Sequence, residues 1–139
     1  MAKWSKELVV AYELAKNAHA GQKRRGTGED YFNHPIRVSQ AMKTINETIT
    51  ALLHDVLEDT DIVESDLWKA KIPVAVIKAV QVLTKDPDKP YDGYLSRIML
   101  NPLARVVKIA DMLDNLTDLP TTEQVAKYKR GILFLMRVR

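Results

Sequence analysis

Cysteine is absent from the 139 residues, which excludes a disulfide framework, a thiolate zinc finger and a cysteine nucleophile. Any transition-metal site must therefore be built from His, Asp and Glu, and the composition fits a reducing cytoplasm. Long apolar runs are missing too: Met1-Ala2-Lys3-Trp4-Ser5 leads straight into an amphipathic pattern, with neither a signal-peptide core nor a stretch able to span a bilayer. A soluble cytoplasmic protein with no membrane partner is expected. The 21 Lys and Arg against 18 Asp and Glu leave a net charge of only +3, too little to argue for nucleic acid as a partner. Internal repeats, low-complexity tracts and period-two alternation are also lacking. With 46% hydrophobic residues, the chain is long enough for one cored domain over residues 1–139 and too short for two.

Helical spacing fills the sequence. Leu8, Tyr12, Ala15 and His19 mark a first helix over about residues 4–20, stopped by Gly21. Pro35 reads as the first residue of a second helix running to Ile45, with His34 just ahead of it in X-Pro geometry. A third helix is expected as one piece over about residues 47–58. Short-turn signals at Asp61 and Ser65, Pro73, Asn101-Pro102 and Thr121-Thr122 open the rest. Lys85-Asp86-Pro87-Asp88-Lys89-Pro90 is a loop that could cover a site. The expected fold is an all-α bundle of about six or seven helices.

Within the third helix, Leu53-His54-Asp55-Val56-Leu57-Glu58-Asp59-Thr60 places one imidazole and three carboxylates on an apolar background. Buried carboxylates need a cation, since each unpaired one costs several kcal/mol. On a continuous helix His54 and Glu58, and likewise Asp55 and Asp59, fall four apart on adjacent strips. Asp111 and Asn115 repeat that spacing on a later apolar helix. Adding His34 yields two imidazoles and two carboxylates, His34, His54, Asp55 and Asp111, a mixed shell suited to Mn, Fe, Co or Zn. Lys23, Arg24 and Arg25 cluster in the polar loop 21–30, and Lys127, Lys129, Arg130, Arg137 and Arg139 form a basic tail read as solvated surface.

The order of these elements resembles the HD phosphohydrolase superfamily: His before a Pro-opened helix, His-Asp on a buried helix, then a distant Asp. Within it, Ala18-His19-Ala20-Gly21-Gln22-Lys23-Arg24, Tyr31-Phe32-Asn33-His34-Pro35, the Glu58-Asp59 pair after His54-Asp55, and Val107-Lys108-Ile109-Ala110-Asp111 to Asn115 look like the hydrolase domain of the RelA/SpoT enzymes and their small stand-alone relatives of the MESH1 type. The resemblance covers about residues 8–120 and departs from the family pattern at Asp114 and Thr117, where a basic residue or His and then Arg are common. It implies hydrolysis of the 3′-pyrophosphate of ppGpp and pppGpp, usually with manganese. His34, His54, Asp55 and Asp111 would hold the metal, and Glu58 and Asp59 would orient or deprotonate the attacking water. Lys23, Arg24, Arg25 and Asn115 would meet the nucleotide, with Lys89, Tyr94 and Arg97 as further substrate contacts. His19 lies outside the ligand pattern and reads as structural. No synthetase segment follows residue 139, so a hydrolase alone is expected.

Two other readings share the site. The same metal centre serves a phosphatase or phosphodiesterase acting on another nucleotide, because fold and metal do not dictate substrate. A non-catalytic nucleotide or metal sensor would need only binding. Ile132, Leu133, Phe134, Leu135 and Met136 occupy every face of the last helix, which leaves room for a homo-oligomer.

Overall fold

The computed structural model describes residues 5–137; Trp4 of the first expected helix and Arg139 of the basic tail lie outside them. Among the described residues there are nine helices and no strand, with one isolated bridge between Lys23 and Asp30. Ser5 caps α1 (Lys6–Ala18) by accepting the Leu8 N–H. Next come α2 (Asn33–Gln40) and α3 (Ile45–Leu53), the latter opened by a capping box in which Thr44 and Glu47 satisfy each other's backbone N–H groups. Four further helices are α4 (Val56–Asp59), α5 (Glu64–Lys69), α6 (Val74–Leu83) and α7 (Tyr91–Met99). Asn101 caps α8 (Pro102–Asn115), and Thr121 with Gln124 forms a second capping box on α9 (Thr122–Leu135).

Three expectations change. The stretch 47–58 is not one helix but α3 and α4, broken at His54-Asp55. The segment after Pro90 is α7, whose Tyr94, Leu95 and Ile98 follow helical spacing and are buried; with that break it raises the helix count above six or seven. His34 lies inside the first turn of α2 rather than ahead of it, and α2 ends at Gln40, so Ile45 belongs to α3. Pro35 is tolerated there because first-turn N–H groups have no intrahelical partner.

The α3 helix is the axis of the bundle, packed against α1, α2, α6 and α8. Its Ile49, Leu52 and Leu53 join Leu8, Ala11 and Ala15 of α1 and Ile77 and Val80 of α6 in one apolar cluster. Ala51 and Ala79 face a second cluster with Leu95, Ile98, Val107, Met112 and Leu135. Because α3 and α6 feed both clusters, the two halves share a core. Each large apolar side chain so buried stabilises the fold by roughly 1.5–3 kcal/mol. Gly131 brings α9 against α8: a Cβ there would lie 2.8 Å from Met112 Sδ. None of the helices is long and apolar enough to cross a membrane, among the described residues.

Candidate metal centre

The break between α3 and α4 is made by His54 itself. Its Nδ1 donates to the Ala51 carbonyl at 2.6 Å, the acceptor that the Asp55 N–H would use in an unbroken helix. A carbonyl oxygen only accepts, so the proton sits on Nδ1 and the Nε2 lone pair is free. His34 is held the same way from the other side, with Nδ1 2.6 Å from Asp114 Oδ2. These outer contacts set tautomer and ring orientation.

Both free Nε2 atoms point at carboxylates. Asp111 Oδ1 lies 2.8 Å from His34 Nε2 and 3.2 Å from His54 Nε2. Asp55 Oδ2 lies 3.1 Å from His54 Nε2 and 3.9 Å from His34 Nε2, and also accepts the Tyr31 hydroxyl. Lone pairs face lone pairs unless a cation stands between them. Separations of this size are what donors about 2.1 Å from a single ion give. His34, His54 and Asp111 bring one ligand atom each within 4.8 Å of one another, a group that could hold a divalent metal, and Asp55 stands beside it, near both imidazoles. Without the ion the cluster draws in protons: burial opposes a charged ring, yet Asp111 and Asp114 raise His34, and Asp55 and Asp111 raise His54 well above its ordinary value. Burial likewise opposes ionisation of Asp55, but His54 holds its carboxyl below the usual range. The second oxygen of Asp111 is 2.9 Å from Lys108 Nζ, and this lysine, with the two histidines, outweighs burial and keeps Asp111 ionised.

Glu58 and Asp59 end α4 at the exposed rim of this centre. Glu58 Oε1 accepts the Lys85 N–H at 2.7 Å, which ties the 85–90 loop to the site. Partial desolvation raises both carboxyls; Asp59 and Asp55 add to the effect at Glu58 against the Lys85 N–H, and Asp55 adds to it at Asp59. Asp59 also lines a cleft of about 460 Å³ with Gln22, Arg25, Tyr31, Asn115 and Tyr128, a volume suited to a nucleotide.

The basic loop is less uniform than its sequence suggests. Lys23 pairs with Asp30 on the surface. Arg24 is buried, donating to Asp114 Oδ2 at 2.9 Å and Asn115 Oδ1 at 2.9 Å, with Asp118 Oδ2 3.3 Å from its Nε. Each of its three nitrogens has a protein partner, so Arg24 anchors the loop on the end of α8 while also lining the cleft. Asn115 lines the cleft and keeps its amide nitrogen 3.4 Å from Asp111 Oδ1. Tyr94 is a core residue, 4% exposed, whose hydroxyl donates to the Leu83 carbonyl at 2.6 Å, which corrects its reading as a substrate contact. Lys89 and Arg97 are exposed, and the residues lining the cleft do not include them. In the basic tail Lys127, Lys129, Arg130 and Arg137 are exposed, as read.

Sequence reasoning missed Asp114, Asp118, Tyr31 and Gln22 as parts of the site. A signal existed: Asp111, Asp114, Asn115 and Asp118 recur at intervals of three, four and seven, the spacing of one helical face, although α8 itself stops at Asn115 and Asp118 follows in the turn beyond it. Asp114, a departure from the family pattern, is the carboxylate that His34, Arg24 and Arg37 share.

The family model of the HD domain matches residues 11–86. The chain is 36% identical over 127 residues to the guanosine-3′,5′-bis(diphosphate) 3′-pyrophosphohydrolase of Aquifex aeolicus, covering 83% of this chain and 18% of that one. It is 46% identical over 86 residues to the bifunctional (p)ppGpp synthase/hydrolase SpoT of Escherichia coli, covering 58% of this chain and 12% of the relative. To the human guanosine-3′,5′-bis(diphosphate) 3′-pyrophosphohydrolase MESH1 it is 34% identical over 129 residues, covering 81% and 69%. The chain thus spans under a fifth of the length of those two bacterial relatives and more than two thirds of the human one. A solved structure of a metazoan ortholog of SpoT that hydrolyzes ppGpp superposes with a TM-score of 0.78 at 26% identity, over 99% of this chain and 89% of the other. These matches, over a site where His34, His54 and Asp111 converge from α2, the α3–α4 break and α8, establish that the chain belongs to the HD domain family.

Proposed function

We propose that this chain is a metal-dependent phosphohydrolase, folded as one HD-type domain, that removes the 3′-pyrophosphate of guanosine alarmones. Water and ppGpp or pppGpp would yield GDP or GTP plus pyrophosphate. The observation that carries this reading is the meeting of His34, His54, Asp55 and Asp111 beside a cleft that Asp59 and Arg25 both line. The names of the relatives point to the same substrate.

A divalent ion, proposed to be Mn²⁺, would be held by those four side chains and would supply Lewis acidity and a low-pKa water. The protein's own part is more specific. Glu58 and Asp59, raised by partial desolvation, orient or deprotonate the attacking water, a general-base role worth about 10²- to 10⁴-fold in rate. Arg25, exposed at the cleft, offers a guanidinium fork to phosphate, and Lys23 lies beside it. Tyr128 supplies an aromatic face for a base. Lys108 keeps Asp111 anionic. On this reading the partner is a small nucleotide and not nucleic acid, the protein works in the cytoplasm, and the exposed Leu133 of α9 and Met136 at its C-cap are the side chains a second copy would cover in a homo-oligomer.

Product analysis tests the proposal. Manganese-loaded protein given ppGpp beside a panel of nucleoside mono- and triphosphates should release GDP and pyrophosphate from ppGpp. Phosphate from another nucleotide, with ppGpp untouched, would keep the metal centre and overturn the substrate; binding with no turnover would point to a sensor. Glu58→Gln with Asp59→Asn should abolish turnover with metal content intact.

A further inference from the structure

The last carbonyls of a helix lack intrahelical partners, and α4 is only four residues long. One of its terminal carbonyls, that of Asp59, accepts a hydrogen bond from Gln22 Nε2 at 2.7 Å, across 37 positions of sequence. Because a carbonyl only accepts, Gln22 must turn its amide nitrogen towards Asp59. Its Oε1 then faces the opposite way, 2.7 Å from His19 Nδ1. That oxygen also only accepts, so His19 donates from Nδ1. His19 is 1% exposed, and its Nε2 has no partner among the described residues. An apolar ring would fill this space without stranding a polar atom. The imidazole further packs against Tyr31, ring centroids 4.9 Å apart, and the Tyr31 hydroxyl is bonded to Asp55.

We infer that His19 and Gln22 are positioning residues for Asp59, a two-step hydrogen-bond relay that fixes the end of α4 against α1. The inference rests on the reading of Glu58 and Asp59 as proton acceptors. A single turn of helix restrains its own terminus weakly, because few backbone bonds hold it. Gln22 supplies the missing restraint, and His19 holds the Gln22 amide in the only orientation that can do so. The relay acts on the backbone of Asp59, so its loss shifts the carboxylate without removing it. His19, buried behind Gln22, acts through other residues only.

The test uses whichever nucleotide the metal-loaded wild-type protein turns over. Gln22→Met keeps the shape and removes both hydrogen bonds; His19→Phe keeps the ring packing and removes the donor; His19→Asn returns an amide donor near the Nδ1 position. Gln22→Met and His19→Phe should lower kcat by about 10- to 100-fold with metal content close to wild type, the size expected of a small misplacement of a reacting group, and His19→Phe, which lies outside the cleft lining, should leave KM close to wild type as well. His19→Asn should recover most of that loss. Unchanged kcat in Gln22→Met, a rise in KM alone, or a His19→Asn protein as impaired as His19→Phe would overturn the relay. If Glu58→Gln and Asp59→Asn leave turnover intact, the proton-acceptor reading itself fails; if they abolish it while Gln22→Met does not, only the positioning role fails.

Discussion

Asp114 Oδ2 and His34 Nδ1 stand 2.6 Å apart although eighty residues separate them in sequence, and the same carboxylate takes hydrogen bonds from Arg24 and Arg37. One side chain thus orients a proposed metal ligand and pairs with two guanidinium groups. Asp114→Asn keeps the shape, removes the charge and weakens the acceptor for the imidazole N–H. Affinity for Mn²⁺ should fall by about 10- to 100-fold, measured by titration against a competing chelator. Unaltered affinity would mean that His34 is oriented by its burial alone.

Arg24 and Arg25 are neighbours in sequence with opposite expected phenotypes. Arg24→Met takes one partner from each of Asp114, Asn115 and Asp118, which keep their other contacts, and should destabilise the fold by about 1.5–3 kcal/mol in urea unfolding. Arg25→Met should leave stability near wild type and raise KM for a phosphate-rich nucleotide. The reverse pattern would reassign the roles of the pair.

The loop that carries them is clamped at Gly26. A Cβ there would sit 1.8 Å from the Asp118 carbonyl oxygen, a backbone atom that cannot step aside. The clamp is completed by the N–H groups of Gly26 and Thr27, which donate to the Asp118 carboxylate at 3.2 and 2.9 Å. Gly26→Ala should therefore lower Tm and raise KM together, since overpacking of this kind costs about 1–3 kcal/mol and displaces Arg25 with the loop. A variant with wild-type Tm and KM would show that the loop shifts freely.

Acid stability follows from the same contacts. Arg37 lowers Glu29; burial works against ionisation of Asp114 and Asp118, but His34 and Arg37 at Asp114, and the Thr27 and Gly26 N–H groups with Arg24 at Asp118, hold both below the usual range. The unfolded chain binds more protons than the folded one as these groups titrate. Their stabilisation is complete above about pH 5, where unfolded carboxyls are ionised, and is lost as pH falls through the depressed folded values. Glu58 and Asp59 have the opposite sign, favouring the fold as they protonate. Arg37→Met removes the partner of Glu29 and Asp114, so metal-free Arg37→Met should lose less stability between about pH 4 and pH 2 than metal-free wild type. An unchanged slope would place the acid-labile contacts elsewhere.

Much of the site was legible before any coordinates. His34, His54, Asp55 and Asp111 could be picked out because metal-binding side chains embedded in apolar helical stretches conflict with the rule that polar groups stay outside. The helical class was legible for a related reason: apolar spacing of three to four, with Ser5, Thr44, Asn101 and Thr121 as caps, is local chemistry readable one segment at a time. The α3–α4 break was not. Apolar periodicity continues through His54, and only the competition of its imidazole for the Ala51 carbonyl ends the helix.

The sequence by itself determined the kinds of donor available, the helices that carry them and the absence of thiol chemistry. Tertiary structure alone decided which charges are spent on the fold and which are left for a ligand. Arg24 and Arg25 look identical in sequence, and Asp114 looks like a departure, because a charged side chain's role depends on partners brought near it from distant segments. Packing α2 and the basic loop against α8 buried Arg24 among Asp114, Asn115 and Asp118 and left Arg25 exposed, though both line the cleft. Burial makes an unpaired charge too costly to keep, so a buried arginine must bond inward while an exposed one remains free to meet a ligand.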